Sequence, residues 1–192
     1  MKQQERRTRR LILRALTGAD YPQWFDANLN RPAPQNRWDS PPRPRDGCTK
    51  RQYLRFLARL MTAAKADDAY WYGVFEKKSG DLIGAVDFDI YVRQSHQFAN
   101  FGYQIERPYR GLGYGQEAAA AGLRIGFEQL RLNRLEAAIN FDNRKSLKLV
   151  KAIGMRREGV KKRHWYEHGA WVDHVVYVAN PEDLGLRARK PL

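Results

Sequence analysis

The stretch ArgGlyLeuGlyTyrGly at residues 110–115 has glycine at every second position. It follows a predicted strand at residues 98–106 and precedes a predicted helix over residues 116–131. Glycine lets the backbone approach a ligand closely, and the free N–H groups at the start of a helix carry roughly half a positive charge. The ligand that this loop predicts is therefore a phosphate group.

Several known loop types can be compared with this stretch. A P-loop of the Walker type requires Lys and then Ser or Thr after its glycines, whereas Gln116 and Glu117 follow here. A dinucleotide-binding fingerprint is disfavoured because Glu136, at the expected distance, begins its predicted strand rather than ending it. Two interpretations stay open at this point: a pyrophosphate-binding loop of the acyl-coenzyme A type, and a glycine-rich turn that only packs.

The hydrophobic pattern of the remaining chain predicts a mixed α/β fold with a largely antiparallel sheet. Asn30–Gly47 contains five prolines and predicts a long irregular loop, which in a compact domain is often functional. The predicted strands are residues 10–16, 70–76, 81–90, 98–106, 134–140, 155–166 and 171–178, and the predicted helices lie around residues 17–29, 49–60, 116–131 and 143–154.

Composition limits the class of protein. The chain has 192 residues, of which 43% are hydrophobic and 29% charged, and its formal net charge is +14. This length predicts a single domain over residues 1–192, with a basic arm at 1–9 and a loosely held tail at 180–192. Because there is one cysteine and no long apolar run, we expect neither an intrachain disulfide nor a membrane span, and a cytoplasmic location.

Four segments in order carry a resemblance to a known family. Residues 110–115 are similar to the (Gln/Arg)-x-x-Gly-x-(Gly/Ala) acetyl-CoA motif of the GNAT N-acetyltransferase superfamily. Residues 140–146, 152–159 and 169–174 resemble its RimJ/RimL branch, which acetylates the N-termini of ribosomal proteins. The chain departs from that pattern in the proline-rich loop at 30–47, in its arginine-rich ends and at Met155, where phenylalanine is usual.

The resemblance implies a fold, a donor and an acceptor. The fold is a mixed, mainly antiparallel seven-stranded sheet flanked by about four helices. The donor is acetyl-CoA, and no metal is implied; the four histidines show no ligand-like spacing either. The acceptor is an amine, and in this branch the α-amino group of a protein.

The resemblance also assigns residues to the donor. Backbone groups near Gln104 and Ile105 would pair with the pantetheine arm, and Arg110 would add charge beside the pyrophosphate. Asn143 and Ser146 would contact pantetheine, with Ser146 protonating the departing sulfur, although both residue types also cap helices. The amides expected to hold the pyrophosphate are those of Gly111, Leu112, Gly113, Tyr114 and Gly115.

Removing a proton from the acceptor amine requires a base or a bound water. Glu106 is the first candidate because it ends the central strand beside the glycine loop, and Asp87 and Asp89 on the neighbouring strand are the next. Positioning of the two reactants alone is a further possibility, since proximity lowers the barrier by several kcal/mol. Each of these carboxylates could instead be a solvated residue at a strand end.

The positive charge is concentrated in residues 144–163, where Glu158 is the one acidic residue among nine cations. This run is either a solvated surface or a contact for the 3′-phosphate of coenzyme A, for RNA or the ribosome, or for an acidic protein. Three functions therefore remain: protein N-terminal acetylation, acetylation of a small amine such as a polyamine or an antibiotic, and non-catalytic RNA or ribosome binding. The chain would act as a monomer or a homodimer.

Overall fold

Eight strands form one sheet in the computed structural model, which describes residues 3–188 and 190–191. Residues 1, 2, 189 and 192, which belong to the predicted basic arm and tail, lie outside the described residues. The strands are β1 (Arg6–Arg7), β2 (Leu11–Arg14), β3 (Ala69–Glu76), β4 (Leu82–Val92), β5 (Phe98–Ile105), β6 (Arg134–Asn140), β7 (Arg156–Glu167) and β8 (Ala170–Ala179). The helices are α1 (Tyr21–Leu29), α2 (Lys50–Ala66), α3 (Tyr114–Arg124) and α4 (Arg144–Ala152).

The strand order is β1-β2-β3-β4-β5-β6-β8-β7, and the registers of β1–β2, β2–β3, β6–β8 and β7–β8 are antiparallel. This confirms the predicted mixed α/β class with four helices. The sequence predicts seven strands, and the eighth is β1, in which Arg6 pairs with Leu13 and Arg7 with Ile12. Two residues are too short to show the alternation from which a strand is predicted.

The chain divides into two compact units, and β4, β5 and α3 each contribute residues to both. The first unit contains the residues up to Phe88 and Tyr103–Gly122. Its core includes an aromatic pair, Trp24 on α1 and Tyr53 on α2, whose ring centroids are 5.2 Å apart. Helix α2 begins as predicted, because the Thr49 hydroxyl accepts a hydrogen bond from the Gln52 amide at 3.3 Å.

The second unit contains Asp89–Gly102 and the residues from Leu123 onward. Strand β6 pairs with β8 from Leu135 to Asn140, whereas its parallel ladder with β5 covers three residue pairs, from Phe98–Arg134 to Asn100–Glu136. Helix α4 buries Val150 and exposes its charged residues. The first part of the predicted tail is anchored, because the Asn180 side chain donates to the Asn133 carbonyl at 2.7 Å.

The predicted helix over residues 116–131 has different bounds in the structure. Helix α3 begins at Tyr114, directly after Gly113, and a single wider turn, Ile125–Gln129, follows it. The Leu130 amide bonds to the Ile125 carbonyl at 3.0 Å, which closes that five-residue turn. Among the described residues, no helix has both the length and the apolar character that a bilayer-spanning segment requires.

Candidate functional site

The glycine loop connects β5 to α3 in the first unit. Gly111 has φ +80° and Gly113 has φ +81°, a left-handed conformation that costs a residue with a side chain roughly 1–2 kcal/mol. A Cβ on Gly111 would meet no atom within 4 Å, so conformation rather than space favours glycine there. Residues 111–113 are exposed to solvent.

The amides of this loop are available to a ligand. In the described part of the chain, none of the N–H groups of residues 111–116 donates to a protein acceptor. The first amide that does so is that of Glu117, which bonds to the Gly113 carbonyl at 3.2 Å. Successive unpartnered amides at the start of an 11-residue helix favour an anion. The geometry therefore fits a phosphate group.

Arg10, at the residue before β2, braces this loop. Its Nη1 donates to the Leu112 carbonyl at 2.8 Å, and its Nε donates to Glu117 Oε2 at 2.7 Å. Its guanidinium carbon also lies 4.3 Å from the centre of the Tyr114 ring. No local pattern in the sequence marks this residue, because Arg10 is one of several arginines in a basic segment.

Glu117 is the centre of this bracing cluster. Its Oε1 accepts hydrogen bonds from Thr8 Oγ1 at 2.6 Å and from the Arg10 amide at 2.8 Å. Burial raises the pKa of Glu117, but the bonds from Thr8 and from the backbone and side chain of Arg10 outweigh it and hold that pKa below its usual value. Glu117 is therefore ionised beside the loop at neutral pH.

Arg110, predicted to add charge at the phosphate, is bonded within the protein. Its Nε donates to the Ile105 carbonyl at 2.7 Å, and its Nη1 forms an ion pair with Asp39 in the proline-rich loop. The hydrogen bond from Arg110 holds the pKa of Asp39 below its usual value, against the opposing effect of burial. The positive charge of Arg110 is therefore already matched, and its contact with a cofactor stays a prediction.

Glu106, the first candidate for the base, is paired in the same way. Its Oε1 accepts from Arg31 Nη2 at 2.7 Å and its Oε2 accepts from Arg31 Nε at 2.9 Å, with both side chains 13% exposed. The Glu106 carboxylate is the counter-charge of the Arg31 guanidinium in a largely buried place. The base role of Glu106 stays a prediction.

A cavity of about 380 Å³ adjoins this ion pair, a volume typical of small-ligand sites. It lies between α1, the β3–β4 turn and the segment after β5, and three carboxylates line it against one guanidinium, that of Arg31. These carboxylates belong to Asp26, Asp81 and Glu106. The Tyr109 hydroxyl donates to Asp81 at 2.8 Å, and burial together with this bond raises the pKa of Tyr109 to about 12.

A second, smaller cavity of about 60 Å³ is lined by the same Arg31–Glu106 pair and by Gln104, which is predicted to adjoin the pantetheine arm. Strand β4 approaches β5 closely here. A Cβ on Gly84 would lie 2.2 Å from the Gln104 carbonyl oxygen, so only glycine fits at this position. The structure therefore places Gln104 and Glu106 along one set of cavities.

Asn143 and Ser146 lie at the start of α4 in the second unit. The Asn143 side-chain oxygen accepts a hydrogen bond from the Ser146 amide at 3.2 Å. Asn143 is thus the N-cap of α4, which is the structural role that the sequence left open. The contact of either residue with pantetheine, and the acid role of Ser146, stay predictions.

More of the positive charges at residues 144–163 are paired with acidic side chains than the sequence suggests. Distant acids pair with part of it, as Asp183 does with Arg156 at 2.8 Å and Asp173 with Lys162 at 2.7 Å. Among the described residues, the cations of this run without an ion-pair partner are Arg144, Lys145, Lys148, Lys151, Arg157 and Arg163. Four of these six lie on α4, and all four are exposed.

The second unit also brings together histidines that are scattered in sequence. His174 is fully buried, and its ring centroid is 5.4 Å from that of His164. The Nε2 atom of His174 lies 3.3 Å from Glu167 Oε1, without the alignment of a hydrogen bond, and Asn140 donates to Glu167 Oε2 at 2.9 Å. Among the described residues, no group of three or more His, Cys, Asp or Glu side chains could hold a metal ion.

Comparison with known proteins gives a consistent family assignment. The family model described as an acetyltransferase (GNAT) domain matches residues 10–156. The [ribosomal protein uS5]-alanine N-acetyltransferase of Escherichia coli (strain K12) is 27% identical over 146 residues, which cover 76% of this chain and 75% of that protein. The Bacillus subtilis (strain 168) probable N-acetyltransferase YjcK is 30% identical over 118 residues, 61% of this chain. The match covers 65% of YjcK, less than two thirds of its length.

Solved structures share the fold. Mycobacterium smegmatis RimJ in complex with CoA-disulfide superposes with a TM-score of 0.75 at 22% identity, over 93% of this chain and 85% of that chain. A spermidine N-acetyltransferase SpeG chimera from Vibrio cholerae and hSSAT gives a TM-score of 0.69 at 21% identity, over 92% and 99% of the two chains. At these identities the likeness concerns the fold alone.

Proposed function

The chain belongs to the GNAT acetyltransferase family, and from that premise we propose that it transfers an acetyl group from acetyl-CoA to an amine. The observation that carries the proposal is the row of unpartnered amides at residues 111–116, at the start of α3. Their N–H groups would bind the diphosphate of acetyl-CoA without the cost of breaking a bond within the protein.

The reaction between the neutral amine and the thioester requires four changes of bonding. The lone pair of the acceptor nitrogen attacks the thioester carbonyl carbon, the new C–N bond forms, and the C–S bond breaks. An acceptor that arrives as an ammonium ion first loses one proton, which frees the lone pair. After the C–N bond forms, the nitrogen gives up a second proton and the departing thiolate takes one, so one proton is released to solvent overall. We assign the removal of a proton from the acceptor to Glu106, directly or through a water, and the protonation of the thiolate to Ser146, the role that the resemblance implies.

The cavity beside Glu106 supports an amine as the acceptor. An amine reaches the enzyme mainly as an ammonium ion, and three carboxylates against one guanidinium give the 380 Å³ cavity a net negative charge. The whole chain has a net charge of +14, so this acidic lining is opposite in sign to the protein around it. Such a lining selects a cationic group.

Within this class we propose the α-amino group of a protein, similar to that of a ribosomal protein, as the acceptor. The name of the E. coli relative supports this choice. The acidic cavity equally suits a small polyamine, which is the second candidate. We further propose that the exposed cations of α4 contact ribosomal RNA or an acidic protein, so that the enzyme and its acceptor meet.

The test is a thiol-release assay with acetyl-CoA and two kinds of acceptor. One kind is a set of peptides that begin with Ala or Ser, each paired with the same peptide carrying a blocked N-terminus. The other is spermidine. We expect turnover with the free peptides and none with the blocked ones. Turnover with spermidine alone would support the second candidate, and no turnover with any amine would contradict the proposed function.

A further inference from the structure

Arg10 is a loop-bracing residue that belongs to no predicted site. Its Nη1 donates to the Leu112 carbonyl at 2.8 Å, and its remaining Nη2 would lie 3.2 Å from a Cβ on Gly113. The guanidinium therefore covers one side of the Leu112–Gly113 peptide. This contact joins the start of the chain to the loop between β5 and α3.

The hydrogen bond to Leu112 fixes the direction of a neighbouring amide. A trans peptide unit is planar, and its C=O and N–H bonds point in opposite directions. Because Arg10 holds the Leu112 carbonyl on its own side, the Gly113 N–H is turned to the other side of the loop. No protein acceptor takes that N–H among the described residues. Arg10 thus keeps the Gly113 N–H on the side away from the guanidinium, where an anion can accept it.

Four further contacts keep the guanidinium and its partner Glu117 in place. Glu117 Oε2 accepts from Arg10 Nε at 2.7 Å, and Glu117 Oε1 accepts from the Arg10 amide at 2.8 Å and from Thr8 Oγ1 at 2.6 Å. The Tyr114 ring lies under the guanidinium, 4.3 Å from its carbon. A planar fork of donors is needed to reach Leu112 and Glu117 together, and a lysine ammonium has no such fork.

We propose that Arg10 is a positioning residue for the donor: held by Glu117, it presents the Gly113 amide to the diphosphate of acetyl-CoA. The inference rests on the proposed function, because it takes acetyl-CoA as the ligand of the loop. Arg10 acts by fixing the orientation of the Leu112–Gly113 peptide, and it would lie on the side of that peptide opposite to the phosphate. Its geometry, and not its charge alone, therefore determines donor binding.

The experiment compares two donors and two arginines. The donors are acetyl-CoA and S-acetylpantetheine, which carries the same thioester without the diphosphate. The variants are Arg10→Lys and, as a matched control, Arg9→Lys, which makes the same change at an exposed neighbour. We expect Arg10→Lys to lower kcat/KM for acetyl-CoA about tenfold or more, as the loss of a charge-assisted hydrogen bond implies. The same variant leaves kcat/KM for S-acetylpantetheine unchanged, and Arg9→Lys changes neither.

A second variant and a second measurement separate positioning from misfolding. Glu117→Gln keeps the shape of the side chain and weakens its hold on Arg10, so we expect the same donor-selective loss. Calorimetric titration with CoA should show weaker binding to both variants, at an unchanged thermal unfolding midpoint for Arg10→Lys. An equal fall with both donors, or no fall with either, would overturn the role of Arg10 while leaving the proposed function standing. Failure of the unmodified protein to bind CoA would overturn both.

Discussion

Arg31 donates two hydrogen bonds to the carboxylate of Glu106, at 2.7 and 2.9 Å. The pair lines both the 380 Å³ cavity and the 60 Å³ cavity. Each of the two side chains is 13% exposed. A carboxylate held in this way has one of two roles. It is a base, which the acceptor must approach past Arg31, or it is one half of a structural ion pair. The two roles predict different effects of substitution.

Glu106→Gln is expected to lower kcat with acetyl-CoA and a peptide by about a hundredfold, the usual contribution of a general base. Glutamine keeps an oxygen that can accept from Arg31 but cannot take up a proton. The measurement is kcat for the variant and for the unmodified protein with acetyl-CoA and the same peptide. Asp68→Asn, at an exposed acid of the same unit, is the matched control. An unchanged kcat would assign Glu106 to the ion pair alone.

Arg31→Ala is expected to destabilise the fold by about 3 kcal/mol, because it leaves the largely buried Glu106 carboxylate without a counter-charge. The measurement is the free energy of unfolding from urea denaturation. The double variant Arg31→Ala/Glu106→Ala should recover part of the loss, since it removes the isolated charge as well. A double variant that is less stable than Arg31→Ala would show that the pair is not an electrostatic unit.

Asp20 predicts an acid-sensitive stability. It is 4% exposed and lies 2.6 Å from Arg14, and the bonds from Arg14 and Thr17 outweigh burial and hold its pKa below the usual value. A carboxyl with a lowered folded-state pKa contributes stability above its unfolded pKa of about 3.9 and loses it as the pH falls through the folded value.

Asp20→Asn should therefore cost about 2 kcal/mol at pH 7, the usual loss for a hydrogen bond to a charged group. The difference from the unmodified protein should begin to shrink below about pH 4, where Asp20 of the unfolded chain takes up a proton, and should shrink further as the pH falls to the lower pKa of the folded state. Unfolding free energies at pH 7, 5 and 3 measure this, with Asp68→Asn as the control. A difference that stays constant over that range would contradict the assignment.

The positions of strands and of the glycine loop follow from local patterns, so the sequence predicts them closely. Strand β6 has the predicted bounds, because a short and mostly apolar run marks a strand that is buried along most of its length. The loop at residues 110–115 is predictable because its glycines are needed for positive φ at Gly111 and Gly113. Each of these signals lies within a few residues of the feature that it predicts.

The contacts that shape the site have no such signal. Arg10 and Glu117 are 107 residues apart, and Arg31 and Glu106 are 75 apart. An ion pair leaves no periodic pattern, so an arginine that braces a loop has the same local sequence as one that faces solvent. For the same reason the sequence does not show which cations of the basic run are paired. Lys161, for example, forms an ion pair with Glu136, which is distant in the chain.

The two glycines of the loop that have positive φ, Gly111 and Gly113, differ in a way that substitution can measure. Alanine at either position adopts a left-handed conformation, which costs roughly 1–2 kcal/mol of stability. A Cβ at Gly113 would also meet Arg10 Nη2 at 3.2 Å, whereas one at Gly111 would meet nothing within 4 Å. We expect Gly113→Ala to weaken CoA binding severalfold more than Gly111→Ala at a similar loss of stability. Equal effects on calorimetric CoA binding would show that the contact with Arg10 is unimportant.

The exposed cations of α4 offer a test of the proposed RNA contact, because the chain contains matched cations that are already paired. Lys148→Gln/Lys151→Gln removes two cations that have no ion-pair partner among the described residues. Lys162→Gln/Arg156→Gln removes the same charge from residues that pair with Asp173 and Asp183. A cation that contacts a phosphate releases a counterion, whereas one held by a carboxylate releases none.

Binding of both double variants to ribosomal RNA should therefore be measured over a range of salt concentrations. We expect the α4 variant to bind more weakly and to reduce the slope of log K against log salt by about 0.7–0.9 for each lost contact. The paired-cation variant should change that slope little, because its carboxylate partners compete with phosphate. Equal slopes for the two variants would indicate that net charge alone attracts RNA, and a flat salt response in the unmodified protein would exclude an electrostatic contact on α4.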